Sequence, residues 1–271
     1  MIKERCIEDL RSFRAKKLHN LRIEYAVKAL PERGCDTFLE VGSGEGFCTR
    51  SIVSHSKRPF LKVKAFDIDA ERVTLARSRW TDNGKISYEV SDACKRFPYK
   101  DSEFDAVVLL DIIEHVTDPA FLIKECVRVL RKKGILFLVV PCEGEPGTLH
   151  RSFHKRGWSL SRTFAGHIQQ LTKKKVLKML GDEGLKTVWA RHSCHIIGQI
   201  TDIIGYEIKR LDKIKKERTL NLAEKTWFYI IRKSMKLFLQ KVSYFESKLF
   251  ARVGFCSLDL NICATRLSSC K

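Results

Sequence analysis

The sequence predicts an open α/β sandwich, and three observations carry that prediction. Apolar runs of strand length alternate with helical patterns from residue 38 to residue 141. A glycine-rich turn follows the first run. Acidic residues stand at or just past the ends of the next three runs (Asp67, Asp92 and Asp111). Ligands in open α/β sheets bind beyond the carboxyl ends of the strands, so these acids and the turn mark the candidate site.

The elements follow in order. Residues 1–30 mix charged and apolar residues without a long apolar stretch, which predicts one or two amphipathic helices and no targeting signal. They form a cap over residues 1–33, packed on the sheet edge or over the ligand. Phe38 and Leu39 open the first strand. Glu40 follows, then Gly42, Gly44 and Gly46, and a helix starts at Phe47. Glycine has no side chain to block a ligand and tolerates unusual dihedrals. The run LKVKAF (61–66) is the second strand, followed by Asp67-Ile68-Asp69 and a helix from Ala70 to Trp80, with Asp69 as its N-cap. The third strand, Ile86 to Val90, leads to Ser91-Asp92-Ala93. The fourth, Asp105 to Leu110, is almost wholly apolar, as a buried parallel strand should be, and leads to Asp111, Glu114 and His115. A helix from Pro119 to Leu130 stops at Lys132-Lys133-Gly134. The fifth strand, Ile135 to Val140, closes at Pro141. A sixth is expected at about Thr187–Ile197 and a seventh at Ser257–Leu267, with a helical insert over 199–253 between them.

The glycine spacing separates two cofactors. A dinucleotide turn reads Gly-x-Gly-x-x-Gly. Here the third glycine comes one residue early, and Phe47 holds the place of the dinucleotide glycine. The pattern Glu40-x-Gly42-x-Gly44-x-Gly46 instead resembles the first motif of class I S-adenosylmethionine (SAM) methyltransferases. An acid beside the turn suits SAM, which carries an ammonium and a sulfonium but no phosphate. The runs DIIEHVTDPAFLIKECVRVLRKKGILFLVVP and GHIQQLTKKKVLKMLGDEGLKTV resemble the type 11 group, which includes quinone, lipid and other small-molecule methyltransferases. The resemblance covers about residues 34–198 and the last strand.

It implies a Rossmann-like seven-stranded methyltransferase sandwich with the N-terminal cap, a core over 34–198, the insert over 199–253, and the last strand in 254–271. It implies SAM as cofactor. Glu40, Gly42, Ser43, Gly44 and Gly46 would shape the methionine end. Asp67 would grip the ribose, Ile68 would lie on the adenine, and Asp92 with Ala93 would read the adenine edge. Asp111 closes the series. For an oxygen acceptor a general base is needed, and histidine suits neutral pH. His115 and His167 are the candidates. His150, His154, His192 and His195 are not separable by position, and no metal site is read.

The formal net charge is +19, and no acidic residue occurs from Pro146 to Gly181. That stretch holds Arg151, Lys155, Arg156, Arg162, Lys173, Lys174, Lys175 and Lys178, with Phe153, Trp158 and Phe164 interleaved. It reads either as a seat for an anionic substrate or surface, or as a solvated basic face. In the insert, Trp227, Ile230, Ile231, Phe238, Val242, Phe245 and Leu249 recur at helical steps among Lys and Arg. Such a stripe packs on the core as a lid or lies on anionic lipid. The ten cysteines include no Cys-x-x-Cys pair and read as reduced thiols of a cytoplasmic protein. No run reaches the ~18 apolar residues of a membrane span. The expected function is methyl transfer to a small or lipid-like acceptor, anionic or membrane-associated, at the inner membrane face or in the cytoplasm. The alternatives are an RNA methyltransferase and a SAM-binding protein without turnover. The Asn-Pro-Pro-Tyr motif and the cysteine pair of common nucleic-acid methyltransferases are both missing from the sequence.

Overall fold

The computed structural model describes residues 20–31, 35–57, 59–80, 84–215 and 238–267. Most of the N-terminal cap and residues 216–237 of the insert, with Trp227, Ile230 and Ile231, lie outside the described residues.

The alternation read from the sequence holds. Helix α1 (Leu21–Ala29) precedes β1 (Thr37–Val41), α2 (Phe47–His55), β2 (Lys62–Asp67), α3 (Ala70–Arg79), β3 (Ile86–Val90), β4 (Phe104–Leu110), α4 (Pro119–Val129) and β5 (Leu130–Pro141). Then come α5 (Leu149–His154), α6 (Leu160–Ala165), α7 (Lys173–Asp182), β6 (Leu185–Ser193), α8 (Ile196–Lys215), a helix α9 over 238–249, and β7 (Asp259–Arg266). All seven strands join one sheet in the order β3-β2-β1-β4-β5-β7-β6. β1 pairs in parallel with both β2 and β4, so that Phe38 stands opposite Val63 on one side and Ala106 on the other. The strand order reverses at β1, which opens a crevice at the carboxyl ends there. Phe38, Leu39 and Val41 are fully buried, as are Ala106, Val107 and Val108 of β4. These central strands carry apolar residues on both faces because helices cover both.

Three boundaries differ from expectation. β5 runs back through Lys132–Gly134, because α4 ends at Val129 and Leu130 is already extended (φ −79°, ψ 135°). β6 stops at Ser193 rather than near Ile197: Cys194 takes a left-handed conformation (φ +55°), and α8 starts two residues later. The insert's helix therefore begins at Ile196.

The chain divides into two compact units. The first comprises Met1–Val140, Lys173–Ala190 and Asn261–Lys271, and the second Pro141–Thr172 and Arg191–Leu260. The first contains β1–β4, the glycine turn and α1–α4. In the second, Gln199 is fully buried. It accepts from Leu149 N–H (2.7 Å) and donates to the Cys256 carbonyl (2.7 Å), tying three segments together. Trp158 packs edge-on against His150, Phe153, His154 and Tyr206, and its Nε1–H donates to Glu207. The aromatic in the middle of the basic segment is thus a packing centre of this unit. Within the insert, α9 turns Glu246 and Ser247 inward and leaves Phe238, Phe245 and Leu249 exposed. No helix among the described residues is long and apolar enough to cross a membrane.

Candidate active site

The glycine turn is built by backbone contacts. Gly42 and Ser43 N–H both donate to the Phe66 carbonyl (2.9 Å each), which fastens the turn to β2. Gly42, Gly44 and Gly46 all have positive φ (74°, 52° and 77°). A Cβ at Gly42 would sit 2.0 Å from Ile112 Cδ1, and one at Gly46 2.8 Å from the Tyr88 ring. At Gly44 a Cβ would meet nothing within 4 Å, so there the glycine leaves open space.

The acids come together at this end of the sheet. Asp67 accepts from Gly44 N–H (2.7 Å) through Oδ2 and from Asp69 N–H (3.0 Å) through Oδ1. A carboxylate offers about four lone-pair directions, so two remain for ribose hydroxyls. Asp69 caps α3 by accepting from Glu71 and Arg72 N–H, as expected. Asp92 accepts from Cys94 N–H (2.8 Å), and its other oxygen faces Lys95 at 3.7 Å. Ile68 and Val90, at the ends of β2 and β3, are 67% and 52% exposed, an apolar wall without a protein partner over most of its area. Asp111 has φ +54° and forms an ion pair with Arg22 of α1.

Glu40 stands beside the turn from the interior side. It is fully buried, with Oε2 accepting from Thr49 and Oε1 without a partner. Burial, reinforced by the charge of Asp67 and only partly offset by Thr49, pushes its carboxyl up to about 8. Glu40 is therefore protonated at neutral pH. Ser43, next in the turn, is also buried with an unpartnered Oγ. Two orphaned polar atoms, the open space at Gly44 and the exposed Ile68 fit a ligand with a cationic amine at one end and a flat apolar ring at the other, and SAM has both.

The histidines sort themselves by environment. His167 Nδ1 lies 2.8 Å from Glu143 Oε1. Glu143 Oε2 takes His154 Nε2 (3.0 Å) and Ser161 Oγ (3.1 Å). Burial opposes ionisation of Glu143. The hydrogen bond and charge of His167, with the charges of His150 and His154, outweigh it and hold the carboxyl below its usual range. Burial also holds His150 below the usual histidine range. His192 and His195 have structural partners in Ser257 and the Val253 carbonyl. His115 is not the cap of α4, since Asp118 accepts from Phe121 N–H there. Its ring stands 3.7 Å from Glu114. Sequence reasoning missed Arg22 and Glu143. Nothing in the cap's pattern singles out Arg22. Glu143 stands two residues past Pro141 and continues the series of acids beyond strand ends, a signal that was there to use. The thiols of Cys35 and Cys48 are pushed up to about 12 by burial, so neither is nucleophilic near neutral pH.

Parallel strands with a glycine turn at their switch point, and acids past the neighbouring strands, are the arrangement in which open α/β proteins hold a nucleoside-bearing cofactor. Comparison with known proteins narrows the class. Residues 39–138 match the family model described as a methyltransferase domain. A ubiquinone biosynthesis O-methyltransferase of Xanthomonas axonopodis pv. citri is 33% identical over 127 residues, which cover 45% of this chain and 51% of that protein. The chain thus spans about half the length of the curated relatives it matches. Among solved structures, the YcgJ protein of Bacillus subtilis aligns with a TM-score of 0.61 at 14% identity, over 93% of this chain and 100% of that one. A geranyl diphosphate methyltransferase with sinefungin aligns with a TM-score of 0.60 at 14% identity, over 91% and 78%. These likenesses show the fold. Over residues 39–138 the chain is thus similar to methyltransferase domains of the type 11 group, and the glycine turn with the acids beyond it fits SAM as the cofactor of such a domain.

Proposed function

We propose that this protein transfers a methyl group from SAM to a hydroxyl of a small, lipid-like acceptor that is anionic or held at a membrane. The observation that carries the reading is the turn itself, where Glu40 Oε1 and Ser43 Oγ are buried without partners beside Asp67. The relatives' naming as O-methyltransferases supports oxygen as the acceptor atom and a small molecule as substrate. When bound, SAM supplies a methyl carbon already activated by its sulfonium.

The chain's own residues place the reactants and handle the proton. Asp67 holds the ribose, Ile68 lies on the adenine, and Asp92 with Ala93 reads its edge. Glu40, Ser43 and Asp111 receive the ammonium end, and Arg22 receives the carboxylate. Placing reactants in line accounts for much of the rate, because orientation is the main barrier once the methyl is activated. His167 accepts the acceptor's proton. Its Nδ1 faces Glu143, so the lone pair sits on Nε2, and the carboxylate stabilises the imidazolium that forms. His115 is the second candidate base.

The test is methyl-labelled SAM incubated with the protein and a cell extract separated into lipid, RNA, protein and small-molecule fractions. Label in the organic or small-molecule fraction supports the proposal. Label released by ribonuclease would replace it with an RNA methyltransferase. SAM binding without label in any fraction would leave a binding protein without turnover.

A further inference from the structure

Helix α9 is packed inside out. Three of its inward residues, Ser243, Glu246 and Ser247, are polar. Glu246 accepts from Ile197 and Gly198 N–H at 3.0–3.3 Å, which satisfies the first turn of α8. Ser247 is 2% exposed and accepts from Cys194 N–H at 3.0 Å. Ser243 Oγ lies 2.8 Å from where a Cβ on Gly198 would stand. Its outward residues are large and apolar. Phe238, Phe245 and Leu249 are 65%, 65% and 78% exposed, at steps of seven and four that share one helix face. The turn that follows exposes Phe250, Val253 and Phe255, at 43%, 45% and 76%.

A helix on a water-soluble surface points its apolar stripe at the core. Single exposed apolar residues need no explanation, but a contiguous set of this kind marks a surface that meets something apolar. The charges say what. Lys241, Lys248 and Arg252 are exposed on the same segment, and the one acid from 238 to 255, Glu246, is turned inward. The outer face is therefore apolar and cationic with no anion.

We propose that α9 and the turn after it dock on an anionic lipid bilayer, with the phenylalanines and Leu249 in the acyl boundary and the lysines at the headgroups. Long cationic side chains reach the headgroups while their stems stay in the apolar layer, and a Phe-bearing helix with basic flanks is the composition that lies in a bilayer interface. The surface deepens the reading of a lipid-like acceptor by naming where the protein would meet it. It rests on α9 alone, whether or not methyl transfer is confirmed.

The experiment is co-sedimentation of the full chain with phosphatidylcholine vesicles, with and without one quarter phosphatidylglycerol. Binding is expected to the anionic vesicles only, and to weaken as salt rises. Phe245→Ser with Leu249→Ser should lower it about tenfold, as loss of two inserted side chains requires. Lys248→Glu with Arg252→Glu should lower it at low salt. The serine pair should leave the melting temperature within about a degree or two, because substitutions at exposed sites are nearly neutral. Four outcomes would overturn the proposal: no binding to anionic vesicles, binding unchanged in the serine pair, a melting temperature several degrees lower in that pair, or a wild-type dimer in light scattering that the pair dissociates. The third would mean the stripe packs on protein, and the fourth that it meets a second copy. SAM binding measured by calorimetry on the same samples reports on the methyl-transfer reading separately.

Discussion

Glu40→Gln should change how stability depends on pH, and by a large amount. In the folded chain the Glu40 carboxyl ionises near 8, against 4.5 for the ordinary group. Above 4.5 the unfolded chain has lost this proton while the folded chain keeps it. The unfolded state then binds fewer protons, so stability falls as pH rises from 4.5 to 8 and levels beyond. Each pH unit in that window costs roughly 1.4 kcal/mol. At pH 7 the accumulated loss is roughly 3 kcal/mol, and Glu40 is fully buried, so solvent does not screen it. Glutamine keeps an acceptor for Thr49 and does not titrate, so any packing difference it introduces is the same at every pH. The melting temperature of the variant relative to wild type should therefore rise between pH 5 and pH 8. At about 2–4 °C per kcal/mol for a chain of this size, the change is roughly 6–12 °C. Scanning calorimetry of both proteins across that range measures it. Parallel curves would mean that Glu40 is ionised in the fold, and the account of a neutral carboxyl under the turn would be wrong.

Asp67→Ala removes the acceptor of Gly44 N–H and the proposed ribose ligand, and should weaken SAM binding roughly tenfold or more in titration calorimetry. An unchanged affinity would sink that assignment. Gly42→Ala should abolish SAM binding or folding, since its Cβ would overlap Ile112 in a left-handed backbone, while Gly44→Ala should cost only about 1–2 kcal/mol by chemical denaturation. Glu143→Gln should lower kcat for the identified acceptor about a hundredfold, leave SAM affinity unchanged, and match His167→Asn in magnitude, as a base and its positioning carboxylate should. A variant with normal kcat would remove His167 from the proton path.

What could be read without the structure is what depends on neighbours in the chain. The succession of strands and helices along the chain, the three glycines and the cap by Asp69 rest on side-chain period, dihedrals and hydrogen bonds within a few residues, and those patterns are written in the sequence. The acids after β2, β3 and β4 were legible for the same reason. Parallel strands require crossover helices, so their carboxyl ends fall on one side.

Tertiary structure decided the rest. Arg22 meets Asp111 from 89 residues away, and Glu143 gathers His154, Ser161 and His167 through the folding of separate short segments. The protonation of Glu40 depends on the packing that excludes water from it, although the residue itself stood out from the start. In α9 the helical period showed that Phe238, Phe245 and Leu249 share a face, and it could not show which way that face points. A period fixes angles around a helix axis. The direction in space comes from the partners that hold the opposite side, here the α8 N-terminus bound by Glu246 and the Cys194 amide bound by Ser247.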